Sequence, residues 1–261
     1  MILEQAAKRL ALPAAFLIKL ATTASHRYKV YTIPKKTGGL RTIHHPAREL
    51  KLVQGWLLQN VLMRLPVHEA ATAYRVGSSI RRNAERHVGH NYLLRGDSLT
   101  IGAPTSPQLS NAIMFGFDES WSRRVEAMEV AYSRYADDLY FSTNRPNVLE
   151  GVLQELRESL QGGGPPILRI NEEKTVFSSR KRRRLAAGLV LTSDRKISIG
   201  RHKKRVLKSL VWKLKRRELD PHEVASLRGW ISYLRSIEPA FLVSLQRKYT
   251  LDFDSGETWK T

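Results

Sequence analysis

Two acidic residues stand side by side at Asp137 and Asp138, within Tyr135-Ala136-Asp137-Asp138. Adjacent carboxylates repel, and a fold keeps them together mainly when something cationic sits between or beside them. A divalent metal does this. Paired metals held by carboxylates stabilise the attacking and leaving oxygens of an in-line phosphoryl transfer. The flanking runs Val130-Ala131-Tyr132-Ser133-Arg134 and Leu139-Tyr140-Phe141-Ser142-Thr143 are rich in the β-branched and aromatic residues that suit a pleated surface. The pattern predicts a hairpin with both acids at its tip. Successive strand residues face opposite ways, so a flat strand aims one acid at the metals, and Asp137 is favoured over Asp138. For the dipeptide by itself, a solvated turn is the competing reading.

The elements that must position this hairpin belong to a chain of 261 residues, 42% hydrophobic, which is enough for a substantial core in one large domain or a few subdomains. Its 44 Lys+Arg against 24 Asp+Glu give a net charge of +20, which points to a polyanionic partner. Charge alone does not separate nucleic acid from an anionic membrane surface. No apolar run is long enough to span a bilayer and no signal peptide is visible, so no membrane partner is expected. The absence of cysteine excludes disulfides and thiolate metal sites and fits a cytoplasmic protein.

Apolar spacing predicts one or two short helices over residues 1–26, broken near Pro13, and a helix over 46–65 that packs under a hairpin. That hairpin is formed by residues 29–33 and 40–43, joined through Gly38-Gly39. Lys35, Lys36 and Arg41 project from it and suit a triphosphate or a template backbone, or a solvated charged edge. His87 and His90 read as hydrogen-bonding histidines, since no third convergent ligand lies nearby. A strand over 92–95 ends at Gly96-Asp97. After it, Gly102, Ala103, Pro104 and Pro107 shape an irregular loop whose small side chains let a base or sugar approach the backbone; an ordinary helix start is the alternative. An amphipathic helix over 149–160 stops at the glycines and prolines of 162–166, and strands are expected over 167–170 and 185–192. The basic run at 180–184 reads as solvated surface whose sign matches the whole chain. Nine Lys/Arg between Arg201 and Arg217 surround Val206, Leu207, Leu210, Val211 and Leu214, an apolar stripe with a basic opposite face. Asp220, Pro221 and Glu223 predict a capping box that starts the next helix.

Several blocks together resemble the retron-type bacterial reverse transcriptases, over about residues 31–249. They are Ile33-Pro34-Lys35-Lys36 through Arg41, Asn83-Ala84-Glu85-Arg86-His87, Gly102-Ala103-Pro104-Thr105-Ser106-Pro107 with Leu109-Ser110-Asn111, and Tyr135-Ala136-Asp137-Asp138. Ile170-Asn171-Glu172-Glu173-Lys174-Thr175, Ser198-Ile199-Gly200, Arg228-Gly229 and Ser236-Ile237-Glu238-Pro239 complete the set. The resemblance implies an α+β right-hand polymerase with an antiparallel palm sheet and a helical thumb: N-terminal helices and fingers over 1–91, palm over 92–200, thumb over 201–261. It implies an RNA-directed DNA polymerase that uses Mg²⁺ and deoxynucleoside triphosphates and copies a structured noncoding RNA, both template and primer, into DNA. Such systems act in defence against phage, alongside an effector protein. Carried over by residue, Asp137 and Asp138 are metal carboxylates, and Lys35 and Arg41 triphosphate contacts. Lys174 stands near the leaving pyrophosphate, and Gly102, Ala103 and Pro104 lie under the incoming nucleotide. The basic thumb, with Arg201, Lys203, Lys204, Arg205 and Lys208, grips the RNA–DNA hybrid through phosphates.

Two departures stand out. Ala186-Ala187-Gly188 occupies the place of the family's Val-Thr-Gly. Between Arg95 and Ile101 the chain passes almost directly, where the family has an aspartate, an aromatic gate residue and a few tens of further residues. Two-metal chemistry needs ligands from more than one strand, because one hairpin tip cannot surround two cations about 3.5–4 Å apart. Asp97 is therefore expected either to take the place of the first aspartate as a metal and catalytic residue, or to mark the edge of a segment that held it. The rival class is a non-catalytic RNA-binding protein with a degenerate polymerase fold.

Overall fold

A computed structural model describes residues 2–34, 38–97, 104–161 and 168–259. Helices α1 (Ile2–Leu10) and α2 (Ala14–Thr22) break at Pro13, as expected. Strands β1 (Tyr28–Pro34) and β2 (Leu40–Pro46) form an antiparallel hairpin, with Gly38 and Gly39 both at positive φ. This hairpin is exposed along nearly its whole length. Helix α3 (Arg48–Asn60) lies against α1 and meets the hairpin through the Gln54 amide, which donates to the Tyr28 hydroxyl at 2.7 Å.

The central sheet is antiparallel, with strands β3 (Tyr92–Asp97), β4 (Ala131–Tyr135), β5 (Asp138–Thr143) and β6 (Val176–Ser179) in the order β4-β5-β3-β6. On one face Leu94, Tyr132, Leu139 and Phe141 pack with Trp121 and Val125 of α6 (Phe115–Glu126) and with Val152, Leu153 and Leu156 of α7 (Val148–Gln161). On the other face Leu93 and Tyr140 join Ala84 of α4 (Ile80–Val88). The period-2 alternation of β5 thus feeds two cores at once, which explains why a run such as Leu139-Tyr140-Phe141 is continuous rather than alternating in polarity.

Two expected strands fall elsewhere. Leu168 to Ile170 are not a strand; Leu168 is buried, and the edge of β3 is taken by Val176–Ser179. The glycine- and proline-rich stretch 162–166 lies outside the described residues. The run 185–192 is two strands, β7 (Arg184–Ala186) and β8 (Leu189–Leu191), turned by Ala187 (φ 47) and Gly188 (φ 80) and extended by β9 (Ile197–Ser198). Arg184, at the end of the basic run, is not solvated. It is 1% exposed and donates to the carbonyls of His90 and Thr192.

The C-terminal helices α8 (Arg201–Lys215), α9 (Pro221–Ile237) and α10 (Pro239–Tyr249) pack with β7–β9 into one core that also holds Ala84, Leu93 and Tyr140. The capping box at Asp220 and Glu223 is present. Helix α5 (Ser106–Ile113) carries Pro107 in its first turn, which leaves no donor wasted there. Glu238 joins two distant blocks: its carboxylate accepts from the Ile199 amide at 3.1 Å and pairs with Lys204. Between them Gly200 holds φ 87, ψ 157, a region open in practice to glycine alone, and an added Cβ would meet Val190 Cγ2 at 3.0 Å. Gly200→Ala should therefore destabilise the protein by about 1–3 kcal/mol, measured by urea unfolding; an unchanged midpoint would contradict this strained junction.

Candidate active site

The register of β4 and β5 pairs Tyr135 with Asp138, so the hairpin closes through just two residues, Ala136 and Asp137. Ala136 takes φ 55, a conformation a non-glycine residue holds only when its surroundings enforce it. The two acids are thus set apart by the turn rather than by strand alternation: Asp137 occupies the loop and Asp138 is the first residue of β5. Both are half-buried. The Tyr140 hydroxyl donates to Asp138 Oδ2 at 2.9 Å and accepts from the Ala187 amide at 2.9 Å. Because that link uses a main-chain N–H, the alanine at the second position of the Ala186-Ala187-Gly188 block supplies it as well as another side chain would.

Asp97 ends β3, and the β3–β5 register sets it directly opposite Asp138. Arg95 pairs with Val176 on the other side, and the turn Glu172–Lys174 lies against β3, which brings the exposed Lys174 to the same end of the sheet. Pro104 is half-buried just before α5. Arg41 is exposed on β2, in a separate two-stranded sheet. Lys35, Gly102 and Ala103 lie outside the described residues.

Sequence reasoning passed over several supporting residues. Tyr74, at φ 58, is half-exposed, and its hydroxyl pKa is raised first by burial and then by the charge of Asp137. Arg134 is 1% exposed and pairs with the fully buried Asp118 at 2.7 Å. Tyr132 also donates to Asp118, at 2.7 Å, and its own pKa is raised by burial and by that carboxylate. An arginine inside an otherwise strand-like run was the visible signal, but only its burial gives it meaning.

On the opposite face His87 is fully buried, with Nδ1 2.6 Å from Ser142 Oγ and Nε2 2.6 Å from Ser133 Oγ. Ser133 donates to Asn83 Oδ1 at 2.6 Å, and Thr72 Oγ1 lies 2.8 Å from the same oxygen. His90 Nδ1 reaches Ser142 at 3.1 Å. The hydrogen-bonding reading of both histidines holds. Asn83 and His87 tie α4 to both strands of the acid-bearing hairpin.

The donor set at the hairpin is carboxylate oxygen, the hard-ligand chemistry that suits a divalent cation such as Mg²⁺. Among the described residues no group of three His, Cys, Asp or Glu that could hold a metal ion is found. On α8, Arg201, Arg205 and Lys208 are exposed. Lys204 departs from the expected phosphate-facing set: it pairs with Glu238 and sits 4.8 Å from the Phe241 ring. Lys203 is half-buried 5.9 Å above Trp230. Trp212 is exposed on α8 under the Arg216 guanidinium at 4.7 Å.

An α+β fold with acids at a β-hairpin tip and a basic helical module is that of a nucleic-acid polymerase. Residues 96–204 match the family described as reverse transcriptase (RNA-dependent DNA polymerase). The chain is 33% identical over 282 aligned residues to the Retron Ec83 reverse transcriptase of Escherichia coli, covering 90% of each. It is 28% identical to the Retron Ec73 reverse transcriptase of the same organism, covering 85% of this chain and 86% of that one. The chain belongs to the retron reverse transcriptases. Since 90% of 261 residues is about 235, roughly 47 of the 282 aligned positions face a gap in this chain. The foamy viral protease-reverse transcriptase in complex with RNA/DNA hybrid superposes with a TM-score of 0.45 at 15% identity, over 80% of this chain and 27% of that one.

The buried histidine makes stability depend on pH. In the unfolded chain imidazole titrates near 6.5, whereas burial, helped by the nearby His90 and Arg86, holds His87 down to about 3. Between these values the unfolded chain binds the extra proton, so stability present above pH 6.5 is lost as pH falls, by about 1.4 kcal/mol per unit. Burial lowers His90 in the same direction. From pH 7 to 5 the loss should reach about 2 kcal/mol, read by urea unfolding. His87→Gln should be less stable at pH 7 with a shallower slope, and an equal slope would remove His87 as its source.

Proposed function

We propose that this chain is an RNA-directed DNA polymerase that adds deoxynucleotides to a primer on a structured noncoding RNA, within a retron that defends against phage beside an effector protein. The observation that carries the reading is the register that sets Asp97 opposite Asp138, one residue from Asp137, in a chain of this family. Positions opposite one another in an antiparallel pair share a face of the sheet, so the register puts Asp97 and Asp138 at one sheet end beside the turn that carries Asp137, which supports this reading. Asp137, Asp138 and Asp97 would hold Mg²⁺, which when bound neutralises charge on the entering and leaving oxygens. Lys174, at the same sheet end, has the charge to stabilise the departing pyrophosphate. Gly102, Ala103 and Pro104, in the loop that runs to Pro107, would lie under the incoming nucleotide, and Lys35 and Arg41 would meet the triphosphate. In subdomains, fingers, palm and thumb follow as 1–91, 92–200 and 201–261.

A template–primer duplex is a dense polyanion, and the net charge of +20 supplies the attraction for it. Arg201, Arg205 and Lys208 lie one or two turns apart on α8 and are free of internal ion pairs among the described contacts, whereas Lys204 is held by Glu238. No described helix is long and apolar enough to cross a membrane.

Extension of a labelled primer on an RNA template with Mg²⁺ tests the reaction. Asp137→Asn should lower incorporation by about 10²–10³-fold, the scale of losing one charge-stabilising group, and incorporation that survives the change would remove Asp137 from the site. Absence of extension by the unaltered chain, with RNA binding intact, would favour the non-catalytic RNA-binding reading, for which the near-direct passage from Arg95 to Ile101 speaks.

Removing the charges of Arg201, Arg205 and Lys208 together should weaken RNA binding and flatten the slope of log K against log salt by about 2–3. An unchanged slope would make α8 plain solvated surface. Lys204→Gln should instead lower thermal stability with little change in that slope.

A further inference from the structure

Arg134 sits one residue before the Tyr135-Ala136-Asp137-Asp138 block, on the sheet face that packs against α6. Its guanidinium is buried and every nitrogen is engaged. Nε donates to Asp118 Oδ1 at 3.0 Å and lies 3.1 Å from Oδ2, while Nη2 donates to Oδ2 at 2.7 Å. Nη1 donates to the side-chain oxygen of Asn111 at 3.1 Å and to the carbonyl of Ala136 at 3.1 Å. That carbonyl belongs to the peptide that leads into Asp137, in a turn whose first residue holds a positive φ. Asn111 in turn donates to the Ala73 carbonyl at 3.0 Å, beside Tyr74, whose phenol feels the charge of Asp137. One cation therefore touches the acid-bearing turn and the helix that carries Asn111, and Asn111 links it to the segment presenting Tyr74.

We infer that Arg134 is a positioning residue for the carboxylate pair: by holding the Ala136 carbonyl against Asp118 and Asn111, it sets where Asp137 points and so the affinity of the site for its divalent cation. A planar fork is required, because three acceptors lie in different directions around one guanidinium. Lysine keeps the charge beside Asp118 but cannot reach all three. Asp118 contributes by fixing the fork rather than by facing the cation, since it is fully buried. The effect on catalysis rests on the polymerase reading above; the hold on the turn and on the cation stands without it.

The test compares Arg134→Lys with Tyr132→Phe in the full chain. Tyr132→Phe deletes one bond to Asp118 and leaves every Arg134 donor in place, so it reports general loss of stability. Three readouts are taken: hydrogen exchange of amides 135–139, Mn²⁺ binding by electron paramagnetic resonance without nucleic acid, and single-nucleotide primer extension. In Arg134→Lys the hairpin amides should exchange about tenfold faster and Mn²⁺ should bind about tenfold more weakly. Misplacement of the acids should lower kcat about 10–100-fold, with KM for the deoxynucleotide within about threefold. Tyr132→Phe should leave exchange of 135–139 and Mn²⁺ affinity as they are. Should Arg134→Lys fail to fold, Asn111→Ala frees Nη1 while keeping the Asp118 pair, and the same shifts are expected at smaller size. Unchanged exchange and Mn²⁺ affinity in the altered protein, or equal changes in Tyr132→Phe, would overturn the inference. A chain that extends no primer but shows the exchange and Mn²⁺ shifts would overturn the polymerase reading and uphold this one.

Discussion

Two neighbouring carboxylates on a two-residue turn repel one another, and the rest of this structure works to hold that turn still. The hairpin is gripped from both faces by buried polar groups. On the α6 side Arg134 pairs with Asp118 and carries the Ala136 carbonyl; on the α4 side His87 bridges Ser133 and Ser142, one residue from each strand. Both grips are costly to assemble, because each takes polar groups out of water, and both become severe liabilities when half removed. Apolar packing alone would leave the turn free to twist. The polar contacts fix it because they are directional.

The packing around this hairpin also settles how the C-terminal helices sit. Tyr140 links Asp138 to the amide of Ala187 and lies in the same core as Leu189, Leu207 and Leu227. The three-stranded sheet β7–β9 is therefore a wedge between the central sheet and α8–α10, and Glu238 pins its junction with α8. The same buried core runs unbroken across this boundary. Electrostatics divides α8 in two: the cations that stay exposed are available to a polyanion, while Lys204 serves the fold.

The departures from the family pattern are of two kinds. At Ala186-Ala187-Gly188 the side chains change but the contact to Tyr140 is made by the main chain, so the local geometry does not depend on them. The near-direct passage from β3 to α5 is different, since it shortens the segment that follows the Asp97 position. Over the whole alignment, roughly 47 positions of the Ec83 relative are unmatched in this chain. The block Asn83-Ala84-Glu85-Arg86-His87 is buried at Asn83, Ala84 and His87 and supports the hairpin from behind.

Much of this protein is legible in its sequence. Periodicity alone marks α7, α8 and α9, the capping box at Asp220 and the two hairpins around Gly38-Gly39 and Asp137, because each depends on neighbours within a few residues. Charge alone points to a polyanion. The adjacency of Asp137 and Asp138 raises metal chemistry as a reading, with a solvated turn as its rival. Tertiary structure decided what depends on partners far along the chain. It moved the edge strand from 167–170 to Val176–Ser179, because the free edge of β3 accepts whichever segment reaches it in register. It split 185–192 at Ala187-Gly188, and it turned Arg134, Arg184, His87 and Lys204 inward. A charged residue in a strand or helix reads the same whether it meets water or a buried carboxylate. Only the fold brings Asp118, Asn111 and Ala136 around one guanidinium, or sets Asp97 opposite Asp138.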